Sequence, residues 1–270
     1  MSRRTLAALV LLAAATPAGA QRLRYVPVSG DEEPSAAPRL AYRQVEGDEA
    51  PIAGGAEKAR RRKLLQWGLL DRAEYSAQRG GDSYAWDFSA LLGGERDRLW
   101  LGSVGEGGTW HSPEYLEFAA LYSRHVGGSW DLNAGLRYDM RPRPDRAYAT
   151  LGAQYDDGKA WLGAFAYLSD EGEPSARLAA YYNLKLIGAL VLQPSFELDA
   201  SGEDVPALGL GRGFTYGEAG LRLRYEIREA FAPYVGLSWS RDLGRTGRLT
   251  RAEGDDPETR SLLLGIRSAF

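Results

Sequence analysis

Residues 130–140 read WDLNAGLRYDM. The strict alternation in this segment limits what the chain can fold into. Trp130, Leu132, Ala134, Leu136, Tyr138 and Met140 share one side of an extended strand, while Asp131, Asn133, Gly135, Arg137 and Asp139 share the other. Side chains of a strand alternate with period two, so one face is apolar and aromatic and the opposite face is charged. A soluble sandwich uses a few such strands. A lipid-embedded barrel needs many, and this chain offers about twelve.

From Leu64 onward the pattern predicts strands at 66–76, 82–92, 97–106, 114–124, 129–140, 145–155, 159–168, 175–186, 189–199, 215–228, 231–241 and 259–270. Their lengths suit tilted membrane strands. The seventh has two readings: Trp161, Gly163, Phe165 and Tyr167 compete with Leu162, Ala164, Ala166 and Leu168 for the outer face. The predicted connections alternate in length. Long ones include 107–113, 141–144, 169–174, 200–214 and 242–258; tight ones fall at 93–96, 125–128, 156–158, 187–188 and 229–230. Long cell-surface loops and short periplasmic turns are the arrangement of bacterial outer-membrane barrels.

Aromatic spacing points the same way. Trp67 and Tyr75, Trp130 and Tyr138, and Phe231 and Trp239 are each eight residues apart on strands running in one direction. At ~3.3 Å per residue and ~40° tilt, that climbs roughly 20 Å, close to the apolar band between aromatic girdles. The segment SLLLGIRSAF puts Leu262, Leu264, Ile266 and Phe270 on one face. It resembles the C-terminal assembly signal of outer-membrane barrels, with Ser268 in a slot that is usually hydrophobic.

The first twenty residues have the form of a secretion signal. Arg3 and Arg4 precede the apolar stretch Thr5–Ala15, and Ala18-Gly19-Ala20 is a small-residue cleavage site. Cleavage after Ala20 removes both arginines and makes the net charge of −3 two units more negative. Residues 21–63 read as a flexible acidic leader, poor in large apolar residues. Inside it Tyr25, Val28, Gly30, Asp31, Glu32 and Pro34 recur 17 residues later, from Tyr42 to Pro51. Arg60–Lys63 then forms a basic run before the barrel. There is no cysteine, which excludes disulfides, thiolate metal sites and a cysteine nucleophile. Mild acidity argues against nucleic acid as a partner.

The inward faces are predicted to be polar. Candidates are Glu74, Asp87, Glu117, Asp131, Asn133, Arg137, Asp139, Arg177, Asn183, Lys185, Gln193, Glu197, Asp199, Glu218, Arg222, Arg224, Glu226 and Arg267. Leu221, Leu223 and Tyr225 should face lipid, so Arg222→Gln should cost much less than Leu223→Arg. Mixed charges inside a barrel fit either a permeation path or a closed ion-pair network. His111 should lie in a surface loop, His125 at a periplasmic turn and Met140 on the lipid face, so no two of them share a metal. Ser123 and Ser129 flank His125 without an activating geometry, and no enzymatic activity is expected. The glycines of 209–213 precede no helix and imply no phosphate cradle.

Four segments resemble the copper resistance protein B family of Gram-negative outer membranes: LWLGSVGE at 99–106, LYSR at 121–124, WDLNAGLRYD at 130–139 and GLRLRYEIREAFAPYVGLSW at 220–239. The similarity runs through nearly all of 64–270. It implies an outer-membrane location in contact with lipid, and a part in copper tolerance by efflux, sequestration or passage. It also implies copper ions and periplasmic copper-handling proteins as partners. Members of that family often carry a leader rich in Met and His. Here residues 21–63 contain neither. Thioethers suit Cu(I) and imidazole suits Cu(II), so this leader is expected to hold copper weakly. The alternative reading is a general outer-membrane channel without specific copper handling.

Overall fold

The computed structural model describes residues 65–78, 81–228 and 230–270. The signal, the acidic leader with its repeat and the basic run Arg60–Lys63 lie outside the described residues.

Twelve antiparallel strands form one sheet closed on itself. They are β1 (Leu65–Gln78), β2 (Ser83–Gly93), β3 (Asp97–Gly108), β4 (Tyr115–Gly127), β5 (Trp130–Arg141), β6 (Arg146–Asp156) and β7 (Ala160–Ser169). There follow β8 (Pro174–Tyr182, resuming at Leu184–Lys185), β9 (Leu190–Ser201), β10 (Gly213–Tyr225), β11 (Phe231–Asp242) and β12 (Glu258–Ala269). Each strand pairs with its neighbour in sequence, and β12 returns to β1 through Leu69↔Ala269 to Gln78↔Ser261. Closure satisfies every ladder without leaving an edge, the condition for crossing lipid with strands. The predicted strands therefore all form, with limits shifted by a few residues. The eighth is interrupted at Asn183, whose N–H still donates to Lys159 O at 2.7 Å, in register with the Ala160↔Tyr182 pair of β7 and β8.

Alternation is realised as expected along β5. Trp130, Leu132, Leu136, Tyr138 and Met140 are exposed on the outer wall, while Asn133, Arg137 and Asp139 are buried within. On β10, Leu221, Leu223 and Tyr225 face out and Arg224 is 4 % exposed. The seventh strand resolves in favour of Leu162, Ala164, Ala166 and Leu168 outside. Tyr167 and Gly163 are buried, and Trp161 stacks on Tyr181 inside.

One expectation fails. Trp67 and Tyr75 do not share a face. A bulge at Asp71 lies between Leu70↔Phe88 and Arg72↔Asp87. The extra residue inverts parity, so Trp67 pairs inward beside Leu91 while Tyr75 remains 42 % exposed outside. The pairs Trp130/Tyr138 and Phe231/Trp239 do line the outer wall.

The two ends differ. At one end lie loops 109–114, 142–145, 170–173, 202–212 and 243–257, and at the other are tight connections. The last two loops carry a 3₁₀ turn (Pro206–Leu208) and helix α1 (Thr246–Glu253), neither of which alternation predicts. A short helix ending in Gly254 at positive φ has no period-two signature.

Candidate functional site

Among the described residues charge concentrates in the interior, where it is organised in three tiers. Nearest the long loops, Arg137 on β5 donates through Nε and Nη2 to Asp139, both at 2.7 Å. It also meets Glu117 Oε2 at 3.0 Å. Tyr115 accepts from Arg137 at 2.9 Å and donates to Glu117. Tyr148 and Tyr167 lie 5.1 and 4.7 Å from the guanidinium carbon by ring centroid, in cation–π range. Arg177 on β8 pairs with Asp199 at 2.9 Å and Glu197 at 3.3 Å on β9. Arg177 also reaches Glu117 on β4 at 3.4 Å. Strands β4 and β8 are not neighbours, so this last contact spans the interior.

A second crossing lies in the middle tier. Arg222 on β10 meets Glu74 on β1 at 3.0 Å, with two strands between them round the wall. The Tyr234 hydroxyl donates to the same Glu74 oxygen at 3.0 Å. Arg72, brought inward by the bulge, sits in the field of Glu218, Asp87, Glu74 and Glu106.

At the short-turn end the pairs are local. Asp131 Oδ1 takes both Arg98 at 2.6 Å and His125 Nδ1 at 3.0 Å. Arg267 pairs with Asp71 at 2.8 Å. Arg224 and Gln193 both donate to Asn183 Oδ1, at 2.7 and 3.1 Å. Glu226 stands 3.9 Å from Arg224, and Lys185 is exposed at the rim.

The tiers carry different net charge. Towards the long loops, Glu74, Asp87, Glu106, Glu117, Asp139, Glu197, Asp199 and Glu218 face Arg72, Arg137, Arg177 and Arg222. With the Arg146–Glu173 pair at that rim included, carboxylates there outnumber guanidiniums nine to five. At the other end Asp71, Asp131, Asp156 and Glu226 balance Arg98, Lys185, Arg224 and Arg267. At the long-loop rim, Arg146 at the start of β6 is buried on the face it shares with Tyr148, and it holds the Glu173 carboxyl of loop 170–173 below the usual carboxylate range, with Nε at 3.0 Å and help from the Ser169 hydroxyl. The backbone N–H groups of Ala160 and Lys159 lower Asp157 in the 157–159 turn.

Every predicted inward residue lies on the interior face or at its rim. Asp139, Glu117 and Arg137 meet in one cluster, whereas Asp131 and Glu226 stay apart at the other end. Sequence reasoning missed Asp71, Arg72, Arg98, Glu106, Asp156 and the interior tyrosines Tyr115, Tyr148, Tyr167, Tyr181 and Tyr234. Parity alone would find Arg98, Tyr148 and Tyr234. Arg72 needs the bulge, which nothing in LLDRAE announces. His111 lies in loop 109–114 and His125 at the opposite end, while Met140 is 42 % exposed on the outer wall. Among the described residues no three His, Cys, Asp or Glu side chains converge in a metal-holding group.

The family described as copper resistance protein B precursor matches residues 64–270. The chain is 40 % identical over 206 residues to a "Copper resistance protein B homolog" of Pseudomonas syringae pv. tomato, covering 75 % of this chain and 69 % of that protein. It is 37 % identical over 206 residues to "Copper resistance protein B" of Escherichia coli, covering 75 % and 68 %. Among solved structures, the NanC porin superposes with a TM-score of 0.51 at 12 % identity, over 73 % of this chain and 98 % of that one. That likeness supports the barrel fold alone. With the barrel closed, its interior charged and the whole barrel segment matched, the chain belongs to the copper resistance protein B family of the outer membrane.

Proposed function

We propose that this protein serves copper tolerance as a narrow, acid-lined passage through which copper cations move as cargo. The excess of carboxylates near the long loops carries the reading. A low-dielectric wall focuses such a charge, which concentrates cations and repels anions at that mouth. Passage needs ligands that release what they attract, and dispersed carboxylates suit this better than a tight multidentate site. The Arg137–Glu117–Arg177 and Arg222–Glu74 bridges narrow the route. Glu106, Glu218 and Asp87 belong to no ion pair closer than 4.0 Å among the described residues, which leaves them as the contacts for a moving ion. The reading is non-enzymatic: His125 is held by Asp131, and among the described residues no serine hydroxyl hydrogen-bonds to its ring.

A copper-sensitivity assay tests this. A deletion strain complemented with the wild-type gene is compared with one carrying Glu106→Gln, Glu218→Gln and Asp87→Asn together. The triple variant should fold and fail to restore growth in copper. Full restoration would sink the passage. Equal loss of tolerance to zinc and silver would favour the general channel, because carboxylates discriminate poorly among cations.

A further inference from the structure

The two longest loops are fastened to each other. Gly211 N–H donates to Thr246 Oγ1 at 3.0 Å, and Thr246 is only 5 % exposed. Arg212 N–H donates to Asp204 Oδ1 at 2.8 Å, and Asp204 pairs with Arg245 at 2.9 Å. The Thr250 hydroxyl donates to Asp242 at 2.7 Å. Gly211 packs so closely that a Cβ there would lie 2.4 Å from the Arg245 side chain.

Together the loops wall a cleft of about 820 Å³, lined by Arg212, Arg245, Arg248, Phe214 and Leu243 among others. Its charge is lopsided. Asp204 neutralises Arg245, whereas Arg212 and Arg248 are exposed and enter no ion pair among the described residues. Phe214 is 58 % exposed beside them. Farther down the outer wall of β10–β12, past Trp239 and Arg260, Leu221, Leu237 and Leu262 stand in one register row. Guanidinium forks match phosphate oxygens two at a time and are weakly hydrated, so they suit phosphate at an interface. A ligand meeting cations above and apolar wall below is amphiphilic and anionic. The long-loop end of an outer-membrane barrel stands in the outer leaflet.

We infer that this cleft binds the headgroup of a phosphorylated glycolipid of the outer leaflet. Arg212 and Arg248 hold phosphate, the Phe214 ring covers a sugar face, and the acyl chains lie on Leu221, Leu237 and Leu262. The site is separate from the interior and does not depend on the passage of copper.

Native mass spectrometry of the purified barrel in detergent tests it, with bis-phosphorylated lipid A, dephosphorylated lipid A and inorganic phosphate as probes. Wild type should retain bis-phosphorylated lipid A, and Arg212→Gln/Arg248→Gln should weaken that binding about tenfold or more. Arg143→Gln, in the distant 142–145 loop, should leave it unchanged. If the double variant loses its heat-modifiable gel mobility, Arg248→Gln alone carries the comparison and should weaken binding several-fold. Undiminished binding by the folded variant would overturn the site. So would equal retention of dephosphorylated lipid A. Inorganic phosphate bound as tightly as the lipid would overturn the assignment to glycolipid.

Discussion

Arg222 shows how a partner changes the meaning of a residue. Alternation places it inside, where a polar replacement looks mild. The structure seats it on Glu74, whose side chain is 4 % exposed, and removing the guanidinium strands that carboxylate. Arg222→Gln is therefore expected to destabilise by ~3–5 kcal/mol, as breaking a buried pair does. Leu223→Arg on the lipid face should cost ~2–4 kcal/mol. Denaturant unfolding in lipid measures both, and Arg222→Gln/Glu74→Gln should recover most of the first loss. A double variant as unstable as Arg222→Gln alone would remove the pair from the account. Glu173 gives a pH effect outside the membrane band. Its carboxyl is held low by Arg146, so the contact stabilises above the unfolded carboxylate value and is lost as pH falls through the folded one. Loop 170–173 should loosen from about pH 4.3 downward, and Glu173→Gln should abolish that dependence. Hydrogen exchange across about pH 3 to 7 is the measurement. Arg137 and Asp139 were legible because charge has one home in a barrel wall. Tyr148 and Tyr167 were not, because an aromatic ring has two: the girdle, or the face of an interior cation.

At the scale of the strand, the Asp71 bulge sets which side chains of β1 enter the barrel. The chain has no cysteine, so single replacements report facing cleanly. Leu70→Cys should react with a membrane-partitioning thiol reagent, and Trp67→Cys only with a water-soluble one. The reverse pattern would mean that the strand runs without a bulge. Strand existence, order and limits could be read from period-two patterning because burial on one side and lipid on the other constrain every position. A bulge escapes that reading, since it changes parity without changing composition. The seventh strand escaped it as well: both faces are apolar, and the choice falls to packing, with Trp161 stacked on Tyr181 at 5.6 Å. Gly135 on β5 marks a further limit. A Cβ there would stand 2.2 Å from Ala120 O of β4, so Gly135→Ala must push two strands apart and should lower the unfolding midpoint.

For the molecule as a whole, the described barrel supplies the charge and the leader supplies sequence without Met or His. Deleting residues 21–56 should therefore leave copper tolerance nearly intact, whereas neutralising Glu106, Glu218 and Asp87 should not. Growth of the two strains side by side in copper settles which part acts. Calorimetry adds a second reading: a stoichiometric submicromolar copper site lost with the leader would contradict the weak-ligand view. Fractionation should place the mature chain in the outer membrane, beginning at Gln21. Closure through Leu69↔Ala269 has a consequence for assembly. The first strand to be exported pairs with the last, so through most of its passage across the periplasm β1 has no partner on one flank. The bridges Glu74–Arg222 and Glu117–Arg177 likewise form only when the sheet curls. Such non-local pairing is slow and leaves an aggregation-prone edge exposed meanwhile. This barrel's survival therefore rests on escort until its final strand arrives, and shortage of escort should harm it before any loss of folded stability does.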